Sequence, residues 1–276
     1  MTVARDEPAS SESDAPASGE ADRELTSAFS RSVDEGSHRL ERSLPELLAT
    51  GAVGGIDVTF GVFALFIVEA ATGNRLLSAL AFGIGFISLT LARSELFTEN
   101  FLVPIVAVVA GRQGPASILR LWAGTAVTNL LAGWVMTWLL IFAFPSLEHV
   151  ARESATHFTD PGISGRSFAS ALLGGAIITL MTWMQQGATS EMPKLVAAAA
   201  IAFVLAAAPL DHVIVATLEM FAGLHAGATF GYGTWALTAA WYALGNVVGG
   251  VGLVTMLRLV QVGEGRIRDE QGADTS

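Results

Sequence analysis

The 276-residue chain has no cysteine and only one lysine, Lys194. Disulfide and thiol chemistry are therefore excluded, and the redox compartment cannot be read from the sequence. Charge is scarce: 14% of residues are Asp, Glu, Lys or Arg, against about 25% in soluble domains. There is no HExxH, no GxSxG, and no second histidine four residues from His212. The sequence thus offers neither a metal centre nor a hydrolase nucleophile, and we expect no enzyme, cofactor or bound metal. The N-terminus lacks the basic start and apolar core of a secretory leader. Residues 1–42 instead carry ten acidic residues against five arginines. That balance argues against nucleic acid as a partner. Residues 1–30 read as a disordered acidic tail.

Long apolar runs fill the rest. Mean hydropathy is +0.54, and several stretches reach the roughly 20 residues needed to cross a bilayer. The expectation is an all-α, multi-pass membrane protein with the lipid bilayer as its surroundings. Val33, Leu40, Leu44 and Leu47 recur at helical spacing, so 31–46 reads as an amphipathic surface helix, or equally as a polar extension of the first span. A channel domain would occupy 47–258, and a polar tail 259–276. Four plain spans are expected near 47–71, 116–144, 166–186 and 235–257.

Two segments do not fit one span each. Residues 76–111 would form a helix of roughly 54 Å at 1.5 Å per residue, too long for one crossing and too short for two with a loop. The stretch ARSELFTEN puts Arg93, Glu95 and Glu99 in its middle. Residues 194–222 are similar, with Pro209, Asp211 and His212 at the centre; proline inside a helix removes a hydrogen bond and clashes with the preceding turn. Both segments are expected to be broken helices. An internal repeat agrees: TNLLAG and GNVVGG place Asn129 and Asn246 117 residues apart. The same offset lays Ser94 and Glu95 over Asp211 and His212. Three spans per repeat invert the second copy, giving six spans in two inverted repeats, with helices 2 and 5 broken and a site between the repeats. Basic residues in short segments favour both termini on the cytoplasmic side of the cell membrane.

Irregular backbone in a membrane must be buried in protein or line an aqueous cavity, and charges there mark function. His212 is the one histidine at mid-membrane. It could serve the permeation path or simply tie broken backbone together. Asp211 beside it could favour the charged imidazole. Phe97 could be core packing or a constriction that controls wetting. Asn129 and Asn246 suit interhelical hydrogen bonds among small residues.

SELFTEN, LDHVIVA and GNVVGG, in this order and spacing, resemble the formate/nitrite transporter family over about residues 45–258. The resemblance implies an aquaporin-like protomer, a pentamer with one pore per protomer, and small monovalent anions or their weak acids (formate, nitrite or similar) as permeants. By motif, His212 resembles the central pore histidine, Thr98 its hydrogen-bonding threonine and Phe97 the constriction aromatic. By offset, Phe82, Phe86 and Leu205 fall on the pore-lining face. The chain departs from the pattern at Ala216, where an asparagine is expected, and at Arg93, Glu99 and Glu219. Carboxylates beside a pore repel anions, so a non-transporting scaffold or sensor, or a neutral-solute channel, is the alternative.

Overall fold

The computed structural model describes residues 15–273, and among them the chain is helical with no strand. In order come α1 (Ala15–Glu41), α2 (Leu44–Thr72), α3 (Arg75–Ala92), a 3₁₀ turn (Phe97–Phe101), α4 (Val103–Val109), α5 (Ala116–Ala143) and α6 (Glu148–Thr159). Then follow α7 (Gly165–Gly187), α8 (Glu191–Ala207), α9 (Val213–His225), α10 (Tyr232–Val247), a wide-turned stretch (Val248–Thr255), α11 (Met256–Val262) and α12 (Glu264–Ala273). Five helices are long and apolar enough to cross a membrane: α2, α3, α5, α7 and the continuous run Tyr232–Val262. The shorter apolar helices Phe97–Val109 and Val213–His225 continue α3 and α8 after interruptions. Large apolar side chains such as Phe60, Leu80, Leu131, Phe142 and Leu237 lie exposed along these helices. In water that would be untenable, whereas lipid or a neighbouring copy covers it.

Helix starts follow local chemistry. Asn74 caps α3, its side-chain oxygen accepting from Leu76 N–H at 3.1 Å and Leu77 N–H at 3.2 Å. Ser43 and Glu46 form a capping box, with Pro45 in the first turn of α2. Those three residues correct the expected helix over 31–46: it ends at Glu41 and a new one begins at Leu44, because serine and proline there restart a helix.

A second correction concerns the acidic tail. Residues 15–30 belong to α1 and are not irregular; the expected disorder of 1–14 lies outside the described residues. The apolar face of α1 does not lie on lipid. Phe29 and Val33 pack with Leu102, Val103, Val106, Trp183 and Val262, and Leu40 packs with Leu47, Ala107 and Leu121. Arg31 Nε donates to the Gln186 carbonyl at the end of α7 at 2.6 Å, where the helix dipole welcomes a cation. The expected tail 259–276 likewise contains the end of α11 and all of α12. Glu270 accepts from Ser30 Oγ at 2.5 Å and from Arg112 at 3.1 Å.

Gly36 makes the α1 contact possible, since a Cβ there would run into the Val103 carbonyl and Ala107. Gly36→Val is therefore expected to free α1 while leaving the membrane helices in place. Limited proteolysis checks this: cleavage within 15–41 should accelerate at least tenfold, and an unchanged rate would show that α1 can slide to accommodate the valine.

Candidate functional site

Two interruptions of regular helix meet at the centre of the bundle. The first spans residues 93–96. Arg93 ends α3 in a left-handed conformation, φ 54°, and its N–H returns to the Leu89 carbonyl. Such a backbone is uncommon for a residue with a Cβ. The side chain is exposed and makes no ion pair among the described residues. The second interruption spans 208–212. There the His212 N–H reaches the Leu210 carbonyl at 2.7 Å, a tight reversal.

One asparagine clamps each interruption. Asn129 Nδ2 donates to the Gly51 carbonyl at 2.6 Å and the Glu95 carbonyl at 2.9 Å, while Phe97 N–H donates to Asn129 Oδ1 at 2.8 Å. Asn246 repeats this set with the Ala171 carbonyl at 2.6 Å, the Asp211 carbonyl at 2.9 Å and Val213 N–H at 2.8 Å. Each asparagine can approach so closely because Gly55 or Gly175 faces its backbone; a Cβ there would overlap the asparagine. Both asparagines thus do more than join two helices, as the sequence had suggested: they satisfy backbone groups that the break leaves open. The clamps also correct the repeat register. Glu95 answers to Asp211 and Phe97 to Val213, so the offset at the breaks is one residue shorter than the offset between the asparagines, and His212 has no counterpart at Glu95.

Thr98 Oγ1 and His212 Nε2 lie 2.7 Å apart, and both residues are wholly buried. His212 is also the N-cap of α9. Its Nδ1 accepts from Val215 N–H at 3.3 Å. An accepting Nδ1 carries no proton, so in the neutral ring the proton is on Nε2. Nε2–H then donates to Thr98, leaving the threonine hydroxyl hydrogen free; that hydroxyl makes no other hydrogen bond among the described residues. The expected support from Asp211 is not present. Its N–H donates to Ser170 Oγ at 3.0 Å, and its carboxyl faces Ser170 and Tyr242, not the imidazole.

Around this pair the packing is apolar. Phe82, Phe86 and Leu205 are buried in one cluster with Val213 and Val215, the two phenylalanine rings 5.5 Å apart. Phe97 is partly buried and meets Phe101 edge-on at 5.0 Å and Trp122 at 5.9 Å. The carboxylates sit further out. Glu99 Oε2 accepts from Leu96 N–H at 2.9 Å and so closes its own turn. Glu219 accepts from Ser154 of α6. Glu95 Oε1 takes Arg39 Nε at 3.2 Å and also Arg42, both from the N-terminal helix region. Arg39 in addition holds Asn100 Oδ1 at 3.1 Å.

Several of these residues escaped the sequence-based reading. Asp57 accepts from Ser88 and Ser94, each at 2.6 Å, and ties the first interruption to α2. An acid inside the apolar run GGIDVTF was the available signal. Arg39 and Arg42 gave none beyond helical spacing beside Leu40, since nothing in a sequence says which buried acid a surface arginine will reach.

Comparison with known proteins agrees with this architecture. A family model described as "Formate/nitrite transporter" matches residues 26–260. "Inner membrane protein YfdC" of Escherichia coli (strain K12) is 26% identical over 201 residues, covering 67% of this chain; the chain spans 62% of that protein's length. "Uncharacterized transporter YrhG" of Bacillus subtilis (strain 168) is 21% identical over 238 residues, or 83% of this chain and 89% of that one. Among solved structures, an "FNT family ion channel" superposes with a TM-score of 0.74 at 17% identity, covering 83% of this chain and 96% of that chain. A "Pentameric formate channel with formate bound" gives 0.64 at 20% identity, covering 78% and 95%.

Proposed function

The chain belongs to the formate/nitrite transporter family, and on that premise we propose that it is a membrane channel for small monovalent anions or their conjugate weak acids, formate and nitrite being the reference permeants. In this reading the interrupted pairs α3–α4 and α8–α9 each count as one crossing, giving six spans in two inverted repeats. The oligomer is a pentamer like the solved formate channel. Both termini face the cytoplasm of the cell membrane, where Arg112, Arg120, Lys194, Arg258, Arg266 and Arg268 concentrate.

The contact between Thr98 and His212 carries the proposal. It joins the two interruptions at one buried point, and each half-helix beyond it presents an N-terminal end there. A bare anion entering a dry zone loses its hydration, at a cost no apolar wall returns. Here a chain of donors stands in for water. The neutral imidazole donates through Nε2 to Thr98, and the threonine hydroxyl donates onward to the permeant. This favours a hydrogen-bonding role for His212 over a fixed charge, because protonating Nδ1 would break the cap on Val215 and set a cation against the positive end of α9.

The competing scaffold reading arose from Glu99 and Glu219. Both are engaged by protein donors, Leu96 N–H and Ser154, which weakens the repulsion argument. The test is flux into proteoliposomes with formate, nitrite, acetate and glycerol at two pH values. Hydrogen bonds to charged groups are worth roughly 1.5–3 kcal/mol, and each 1.4 kcal/mol is about tenfold. Thr98→Val and His212→Phe are thus expected to lower anion flux roughly ten- to a hundredfold in oligomers of wild-type size. Undiminished flux in both variants would remove the pair from the pathway. Intact wild-type oligomers passing no anion would leave the scaffold reading standing.

A further inference from the structure

On the α1 side of the first interruption lie three carboxylates, Glu35, Glu95 and Glu99, and two guanidiniums, Arg39 and Arg42; Asp57, on its α2 side, is held by Ser88 and Ser94. Glu95 Oε1 receives both guanidiniums, and Arg39 also pairs with Glu35 at 2.7 Å. Glu95 Oε2 is buried and has no hydrogen-bond partner among the described residues. Glu99 is buried too, and among the described residues its side chain's one hydrogen bond is the Leu96 N–H on Oε2. Among the described residues no guanidinium stands within ion-pair distance of it.

Charge and hydrogen bonding fail to balance in the same place. Glu35 is 35% exposed and shares its charge with solvent. Both guanidiniums go to Glu95, so a charged Glu99 would be buried with no ion pair among the described residues, which is dearer than neutralising the group. Glu95 Oε2 is an acceptor with no donor, a rare state for a buried polar atom. One proton resolves both. Glu95 and Glu99 lie one turn apart on the same short segment, and their carboxyls act on each other electrostatically.

We propose that Glu99 is a proton-binding site whose carboxyl hydroxyl donates to Glu95 Oε2. The other charged groups that face it are Arg39 and Glu35 on α1, Arg42 at the α1–α2 junction, and Glu95 itself; His212 reaches only Thr98. From α5 the 3₁₀ turn meets Trp122, whose indole N–H donates to the Asn100 carbonyl, and among the described residues no titratable side chain of α5 or α7 acts on Glu99. With the proton bound, the cluster is formally neutral beside Thr98. The extra carboxylate of this chain then adds no charge to the approach of an anion. The proton site stands independently of transport, since it follows from the cluster alone.

Infrared difference spectroscopy on the assembled protein in lipid tests it. Wild type at pH 7 should show a protonated-carboxyl C=O stretch that shifts in D₂O, and Glu99→Gln should lose that band. Glu99→Gln should also keep its thermal midpoint within a few degrees, because the amide donates the same hydrogen bond. A band unchanged in Glu99→Gln overturns the proposal, as does wild type without any such band. Assembly of Glu99→Asp but not of Glu99→Gln overturns it as well, since the position would then require a charge.

Discussion

Asn246→Leu is expected to abolish the assembled protein. The side chain is wholly buried and makes three hydrogen bonds, with the Ala171 carbonyl, the Asp211 carbonyl and Val213 N–H. Leucine is close in volume, so packing changes little and the loss is polar. Each backbone group left buried without a partner costs about 1–3 kcal/mol. Together they cost several kcal/mol, against a total stability of roughly 5–15 kcal/mol for a typical domain. The same change displaces Val213, and with it the N-cap His212. Size-exclusion chromatography in detergent and a thermal melt check the outcome: no peak at the wild-type oligomer size, or a midpoint lowered by ten degrees or more. Asn129→Leu should behave alike, because its bonds to Gly51, Glu95 and Phe97 repeat the pattern. A variant that melts within two or three degrees of wild type would show that water replaces the amide.

Glu95→Ala is the second large effect. It strands two guanidiniums that share one carboxylate oxygen, with side chains only 11% and 14% exposed. Removing one member of a buried ion pair costs about 3–5 kcal/mol, mostly through the charge left behind. The residual exposure places this case at the lower end. Adding Arg42→Ala should restore part of the loss, because the stranded charge goes too. The exposed pair Arg268–Glu264, at 74% and 85%, offers the contrast: Glu264→Ala should be near neutral. Thermal midpoints of the three variants decide it, and equal effects for Glu95→Ala and Glu264→Ala would refute the buried latch. Acid should loosen α1 from the same region. Arg39 beside Glu35 holds that carboxyl below the usual range. The stability it adds is complete above the ordinary carboxylate range and is lost as pH falls through the lowered value.

Much of this was legible beforehand. The apolar runs gave the helices, and the excess length of 76–111 with the acids in its middle gave the first interruption. Pro209 with Asp211 and His212 gave the second. The paired asparagines and the recurrence of Gly-rich motifs pointed to the repeat. What misled was local composition. The polar, acidic stretch before residue 31 scored as disorder, although α1 is held by contacts from residues far along the chain, Trp183 and Val262 among them. Arg93 lies among acids in the sequence. The left-handed turn carries it outward, while Arg39 and Arg42 arrive from more than fifty residues away.

By itself the sequence determined the helical membrane character, the two interruptions and the residue types that meet there, because hydropathy, proline and charge act over one or two turns. Tertiary structure decided the rest: that the asparagines hold broken backbone, that His212 Nε2 meets Thr98, and which guanidiniums offset Glu95. Those outcomes depend on distances between segments separated by thirty to more than a hundred residues, and a linear order of side chains carries no such distances.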